Sequence, residues 1–290
     1  MLATISRLRS RVITDRDIDA IVDLLVKGFP IRSRAYWQHG LQRLAKRPAP
    51  PGLPTYGYLL ENGDVAVGVV LLIFSESRQG EARTIRCNVS SWYVEPAFRP
   101  YAPLLISRAL RHENVTYLNI SPAPHTLPTI EAQGFIRYTN GQFVCIPALA
   151  FASHAAPARV VDGTADPGVA VSAFDRDILA SHAGYGCISL WCVTDERAFP
   201  FVFRPRRIKR IVSAAQLVYC TDPVDFVRFA RPLGGHLARR GIPLAIVDAD
   251  GPIPGFIGMY FEGKLPKYYK GPTPPRLGDL AYTEFVIFGL

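Results

Sequence analysis

The sequence predicts an α/β protein with mixed, largely antiparallel sheets and flanking helices. Three observations support this prediction. Apolar residues recur at helical spacing near the N-terminus, whereas many later stretches are β-branched, aromatic and typical of strands. Asn-Gly pairs at 62–63 and 140–141 lie between such stretches and favour hairpin turns. A comparable order of elements returns in the second half, so we expect two similar domains.

The first half begins with two predicted helices. Residues 14–17 cap an apolar stripe at 18–26, which ends at Gly28, and a second helix covers 34–46. The Pro-rich stretch 48–52 is a loop. The elements expected after it are strands at 56–60, 64–74 and 83–94, a helix at 101–111, a strand at 115–120, a short helix at 126–132, and a hairpin of strands at 135–138 and 142–146.

The segment 92–110 has the most specific pattern in the chain. A strand ends in Val94-Glu-Pro96, a tight turn led by Arg99 follows, and a helix begins after it. Successive backbone N–H groups at a helix start can bind an anion such as a pyrophosphate. This order resembles the acyl-CoA binding segment of the GNAT acyltransferase superfamily. The element order of the whole first half is also similar to the GNAT fold.

The resemblance implies that acetyl-CoA or another acyl-CoA binds at this turn as a substrate. The cofactor-binding residues that it implies are Val94, Arg99, Tyr101, Ala102 and Leu104. Ala102 and Leu104 occupy the two glycine positions of the family motif, and Pro100 and Pro103 lack an N–H. These departures leave two alternatives open: an acyltransferase, or a catalytically silent GNAT-like protein that binds a ligand or a partner.

Acyl transfer also needs a group that takes the proton of the attacking amine or hydroxyl. Glu95 directly follows a strand, and His125 lies on a loop near the place where the cleft should open. Both are predicted catalytic residues, with simple solvent exposure as the alternative. Ile130 stands where many family members have a tyrosine that acts as the acid for the leaving thiolate. Asn88 and Ser90 interrupt an apolar strand, so they either line the cleft or belong to a bulge.

The second half repeats the order of meander, helix and strand. Residues 149–172 are rich in Ala, Pro, Gly and Asp and are predicted as a linker. We therefore expect a GNAT-like domain at 1–148 and a second, degenerate one at 173–290. Its expected elements are a helix at 174–183, strands at 187–194, 198–203 and 214–220, a helix at 224–240, a strand at 243–248 and a strand-like tail at 279–288. Asp248, Lys267 and Glu284 are its predicted substrate-binding residues.

Composition and charge limit the class of protein and its expected partners. The 290 residues are 49% hydrophobic and 20% charged, as in a packed globular protein. The net charge is +9, and residues 204–210 form a basic cluster. Because no nucleic-acid motif accompanies this cluster, nucleic acid is not an expected partner. Five cysteines without metal spacing predict buried free thiols and no metal site. No signal peptide or membrane-spanning run is visible, which favours a cytoplasmic protein.

The favoured interpretation is an enzyme that moves an acyl group from acyl-CoA to an amine or hydroxyl. We expect a small-molecule or sugar-like acceptor and a site in the first domain. The oligomeric state is left open, as is the alternative of a silent ligand-binding protein.

Overall fold

The computed structural model describes residues 7–79, 82–151, 157–209 and 211–289. The strands in these ranges are β1 (Leu8–Val12), β2 (Gly57–Asn62), β3 (Val65–Gln79), β4 (Ala82–Val94), β5 (Val115–Asn119), β6 (Ile136–Cys145), β7 (Arg159–Asp162), β8 (Ile188–Val193), β9 (Ala198–Ile208), β10 (Val212–Cys220), β11 (Leu244–Ala249) and β12 (Gly258–Lys270). The α-helices are α1 (Ile18–Gly28), α2 (Arg34–Ala45), α3 (Ala102–Ala109), α4 (Leu127–Ala132), α5 (Ala173–Gly184), α6 (Pro223–Arg228), α7 (Ala230–Arg239) and α8 (Glu284–Ile287).

The chain divides into two compact units. Unit 1 takes in the described residues up to Ile136, Tyr268–Pro274 and the C-terminal segment from Tyr282. Unit 2 consists of Arg137–Lys267 and Pro275–Ala281. This division differs from the predicted domains at 1–148 and 173–290, because the C-terminal residues pack within unit 1. The predicted linker at 149–172 contains β7, which pairs antiparallel with β8 in unit 2.

Unit 1 is built on the strand order β1-β2-β3-β4-β5, with the last residues of β12 beside β5. The strands β1 to β4 pair antiparallel, and β5 runs parallel to β4 after the crossover through α3. The Asn-Gly hairpin between β2 and β3 is confirmed, and Gly63 has the positive φ of 63° that such a turn needs. Apolar side chains of β2 to β5 and of α3 form the core.

Unit 2 repeats this topology. Its strand order is β6-β11-β10-β9-β8-β7, in which β8, β9 and β10 form an antiparallel meander and β11 runs parallel to β10. A phenylalanine-rich core joins these strands to α6 and α7. The predicted helix at 224–240 is two helices that meet at Phe229, where the backbone leaves helical geometry (φ −103°, ψ 18°). Gly234 allows close packing, because an added Cβ would lie 2.1 Å from the backbone N of Ala148.

Two sequence predictions about local structure are wrong, and one long strand was missed. Asn140 and Gly141 form no hairpin, and β6 continues through them. Gly141 instead permits a close approach, since its missing Cβ would lie 2.4 Å from the backbone O of Phe261. The strand-like tail contains the buried helix α8. The long strand β12 was not predicted. Its Gly263 and Leu265 both have positive φ values, which interrupt the alternation of side chains between the two faces of the strand.

Candidate active site

A wedge forms in unit 1 between β4 and β5. The two parallel strands pair from Ile85 opposite Val115 to Asn88 opposite Leu118, and β4 then continues without β5, still paired with β3, as far as Val94. Parallel strands that stop pairing leave backbone groups and side chains available at the point of separation. The wedge is therefore a place where a ligand can reach the interior of the sheet.

A bulge in β4 lies beside this wedge. Between the pairs that Val89 and Trp92 make with β3, two residues of β4 face a single residue of β3. These two residues are Ser90 and Ser91, and an extra residue of this kind bends a strand and redirects its side chains. Both alternatives considered for Ser90 from the sequence hold, because it belongs to the bulge and also lines the cleft.

A cavity of about 200 Å³ occupies the wedge. Its walls come from β4, from the end of β5 and the residues that follow it into α4, from α2 and the segment before it, and from the C-terminal segment. The lining residues are Phe29, Arg32, Trp37, Val89, Ser90, Ser91, Trp92, Asn119, Ser121, Pro122, Ala123, Thr126, Ile130 and Glu284. Seven of these fourteen side chains are aromatic or aliphatic and seven are polar or charged. Apolar walls with convergent polar groups are typical of small-molecule sites.

Glu284 supplies the acidic group of the cavity. It opens α8, is 3% exposed, and accepts hydrogen bonds from the hydroxyls of Ser90 at 2.6 Å and Ser121 at 2.5 Å. Burial raises the pKa of the Glu284 carboxyl above its ordinary value, and the two serine hydroxyls oppose this shift. A buried carboxyl with a raised pKa, facing a cavity, is a candidate for proton transfer.

Asn88 fixes Glu284 at the apex of the wedge. Its side-chain oxygen accepts the backbone N–H of Glu284 at 2.7 Å. Its amide nitrogen donates to the carbonyls of Leu118 and Val89, at 3.3 Å and 3.2 Å. One buried amide thus joins β4, β5 and α8, and all of its bonds are local to the apex. Its polarity in an otherwise apolar strand is explained by these three bonds.

The helix α2 holds the other end of the C-terminal segment. The guanidinium of Arg43 donates to the carbonyls of Ile287 at 3.1 Å and Val286 at 3.4 Å, which are among the last carbonyls of α8. The ring of Phe288 packs against Trp37 with centroids 5.7 Å apart. Gly40 leaves the space for this ring, because a Cβ there would lie 1.9 Å from it.

The predicted cofactor turn is helical from its start. Residues Pro96–Tyr101 form a 3-10 helix that runs directly into α3. The N–H of Ala102 donates to the carbonyl of Arg99, so it points back into the turn rather than outward. The backbone N–H of Ala102, a predicted cofactor-binding residue, is therefore already bonded within the turn. The cause is local: without glycine, the turn keeps negative φ values and continues as a helix.

The other predicted cofactor residues surround this turn. Val94 ends β4 and is buried, Leu104 is 47% exposed, and Tyr101 is half-buried. Arg99 is exposed, and its guanidinium makes no hydrogen bond or ion pair within the described part of the chain. A side-chain cation is therefore available here, while the backbone donors are fewer than the family motif has.

Neither predicted catalytic residue lines the cavity. Glu95 forms an ion pair with Lys27 at 2.9 Å on the surface. His125 lies in the short 3-10 helix Pro124–Thr126 and is exposed, although its neighbours Ala123 and Thr126 both line the cavity. The geometry thus gives Glu284 a more suitable place for proton transfer than either of them.

The three predicted substrate-binding residues fall in different units. Glu284 belongs to unit 1, whereas Asp248 and Lys267 belong to unit 2. There the buried ammonium of Lys267 donates to Asp248 at 2.6 Å, and Gln142 donates to the same oxygen at 3.1 Å. Lys267 also donates to the carbonyl of Leu265 at 3.2 Å. These groups satisfy one another, as a buried pair must.

No group of three potential metal ligands occurs within the described ranges. No helix in those ranges is long and apolar enough to cross a membrane. All five cysteines are free, and four of them are buried.

This architecture is similar to those of solved structures, several of them GCN5-related N-acetyltransferases. One from Anabaena variabilis has a TM-score of 0.61 at 12% identity and covers 91% of this chain and 72% of its own. A putative acetyltransferase from Pyrococcus horikoshii has a TM-score of 0.52 at 14% identity, covering 95% and 93%. Eis1 from Mycobacterium abscessus has a TM-score of 0.52 at 11% identity, covering 94% and 74%.

These likenesses span both units, so the GNAT fold expected from the sequence is confirmed, as is the predicted fold class. No family model and no curated protein matches the sequence. At such identities the comparisons establish the fold alone, and the function has to be argued from the site.

Proposed function

We propose that this protein transfers an acyl group from an acyl-CoA to an amine or hydroxyl of a small molecule. The observation that carries the proposal is Glu284, a buried carboxyl in the cavity at the wedge between β4 and β5. The fold supports the reaction class by analogy only. The position and environment of this carboxyl supply the chemical argument.

The carboxylate of Glu284 acts as the general base. As the nucleophile of the acceptor attacks the thioester carbonyl, a bond to carbon forms and Glu284 takes the proton that the nucleophile loses. The carbon–sulfur bond then breaks, and the thiolate leaves and takes up a proton from solvent. A carboxyl with a raised pKa is a stronger base than an ordinary one, and the hydroxyls of Ser90 and Ser121 keep it oriented.

The acyl donor is held at the turn after β4. The exposed guanidinium of Arg99 binds the pyrophosphate, because charge-assisted bonds from arginine suit phosphate oxygens. Backbone donors contribute less here than glycine-containing turns provide, since the N–H of Ala102 is already bonded. We also place the protein in the cytoplasm, and its five free thiols suit a reducing compartment.

A second candidate function is ligand binding without catalysis. The helical turn at Pro96–Tyr101 favours it, because a weak pyrophosphate site would not retain the donor. The cavity would then bind a small molecule for recognition only. This alternative predicts no affinity for any acyl-CoA.

The two functions are separated by binding and transfer measurements on the same protein. Calorimetry with acetyl-CoA and longer acyl-CoAs tests donor binding. Acyl transfer to a panel of small amines and alcohols tests catalysis. Glu284→Gln should lower the transfer rate by about 10²–10⁴, the usual contribution of a general base, while the exposed Glu113→Gln serves as the matched control.

Unaltered transfer in Glu284→Gln would refute the role of this carboxyl. Absence of donor binding at millimolar concentration, with the protein folded, would exclude the enzyme and leave the binding protein.

A further inference from the structure

Resting on the proposed function, we propose that the acceptor is a small amino acid with an apolar side chain. Its amine would meet Glu284, and its carboxylate would meet Arg32 at another wall of the same cavity. The geometry points to this class because the cavity lining combines the carboxyl of Glu284, the guanidinium of Arg32 and aromatic side chains.

Arg32 is held in place but has no partner for its charge. It follows α1, its backbone N–H donates to the carbonyl of Phe29, and its guanidinium stacks over the ring of Tyr36 at 4.7 Å. Within the described ranges the guanidinium makes no hydrogen bond or ion pair. A stacked guanidinium keeps its planar donor edge available for a carboxylate.

The neighbouring Arg34 shows what a structural arginine looks like in this segment. Its guanidinium pairs with Asp19 and with Asp23 of α1, and it does not line the cavity. Both acidic residues of this part of α1 are thereby engaged by Arg34. Arg32, in contrast, combines an unpaired charge with a position in the cavity wall, which is the combination expected of a ligand-binding cation.

The size and lining of the cavity fit an amino acid. A volume of about 200 Å³ is below the roughly 300–1,000 Å³ of sites for drug-sized ligands, so the acceptor is small. Phe29, Trp37 and Trp92 give aromatic walls suited to an apolar side chain. A sugar would bring many hydroxyls, each of which would need a polar partner when buried. Of the hydroxyls in these walls, those of Ser90, Ser121 and Thr126 already donate to protein oxygens.

The first test compares three matched acceptors with the full-length protein and acetyl-CoA. L-Leucine carries both charges, 3-methylbutylamine lacks the carboxylate, and 4-methylpentanoic acid lacks the amine. We expect transfer to leucine to exceed transfer to the amine by about tenfold or more in kcat/KM, the scale of a charge-assisted bond. Transfer to the acid should be absent. Equal transfer to leucine and the amine would overturn the inference and leave the acyltransferase intact.

The second test asks whether Arg32 provides the preference. Arg32→Gln should reduce the ratio of leucine to amine to near one, whereas Arg34→Gln, the control, should keep the wild-type ratio. A ratio unchanged in Arg32→Gln would overturn the assignment of this residue.

Calorimetry with L-leucine, with and without coenzyme A, covers the case in which no acceptor is acylated. A failure to acylate any acceptor would by itself count against the proposed function. Leucine binding that weakens about tenfold or more in Arg32→Gln would still support an amino acid site. No leucine binding at millimolar concentration under either condition would overturn it.

Discussion

Replacing Gly40 by alanine tests whether α2 positions the C-terminal segment that carries Glu284. Gly40 is buried in the interior of α2, and a Cβ there would lie 1.9 Å and 2.1 Å from two atoms of the Phe288 ring. The ring is 5% exposed and packs against Trp37, so it has little room to turn aside. The new methyl group must therefore move the ring, the helix or both.

Two opposing terms set the size of the effect. Alanine is favoured over glycine in a helix interior by about 0.8–1 kcal/mol. Overpacking a core by a methyl group costs about 1–3 kcal/mol. The net change in the free energy of unfolding of Gly40→Ala lies between roughly zero and a loss of about 2 kcal/mol.

Gly235 provides the matched control. It lies inside α7, and the nearest atom to an added Cβ is Nη1 of Arg239 at 3.7 Å. Gly235→Ala should therefore gain about 0.8–1 kcal/mol from helix propensity without a steric cost. The two variants should differ by about 1–3 kcal/mol, which is the overpacking term alone.

Urea unfolding followed by tryptophan fluorescence measures this difference through the midpoint at constant slope. The same Gly40→Ala protein should lose acyl transfer, because moving Phe288 shifts α8 and weakens the bonds of Glu284 to its two serines. Stabilisation of Gly40→Ala equal to that of Gly235→Ala, with unchanged transfer, would refute the idea that α2 positions the tail.

Four further predictions concern charged groups. The free energy of unfolding of the wild-type protein should fall as the pH rises from the ordinary glutamate pKa through the raised pKa of Glu284. The reason is that the folded protein binds this proton more tightly than the unfolded chain does. Urea titrations at several pH values should show this decline in the wild type and not in Glu284→Gln. The rate of transfer should rise over the same pH range, since the base must be ionised. Arg99→Ala should weaken acyl-CoA binding by about 1.5–3 kcal/mol in calorimetry, and unchanged affinity would show that Arg99 is only a surface residue. Lys267→Met should cost about 3–5 kcal/mol in unfolding free energy by leaving Asp248 buried without its counter-charge, whereas a loss below about 1 kcal/mol would mean that the pair is not buried in solution.

Much of the fold could be predicted because its signals are local. The stripe of α1, the Asn-Gly turn before β3 and the start of α6, where the side chain of Asp222 accepts the N–H of Val224, each depend on a few neighbouring residues. The failures also have local causes. Asn140 and Gly141 have the composition of a turn, but the pair lies in a continuous strand. Glycine is suited to position 141 because the backbone of Phe261 lies where a Cβ would be.

The candidate site was harder to predict, because its members are distant in sequence. Ser90, Ser121 and Glu284 meet across separations of up to 194 residues, and no local pattern records such a meeting. Glu284 was named from the sequence, but as part of a strand in the second domain. Asn88 and Ser90 were the detectable signals, since polar residues inside an apolar strand require partners.

The C-terminal segment explains why the wedge can contain a carboxyl at all. A buried carboxylate is unfavourable unless hydrogen bonds compensate for the lost water. Here the compensation comes from the two serine hydroxyls, and the backbone of α8 is held by Asn88 at one end and Arg43 at the other. Each contact alone is modest, but together they hold the carboxyl where the strands part. Proton transfer in unit 1 would thus depend on residues that lie at the far end of the chain, so truncation before Tyr282 should abolish transfer even if the donor still binds at Arg99.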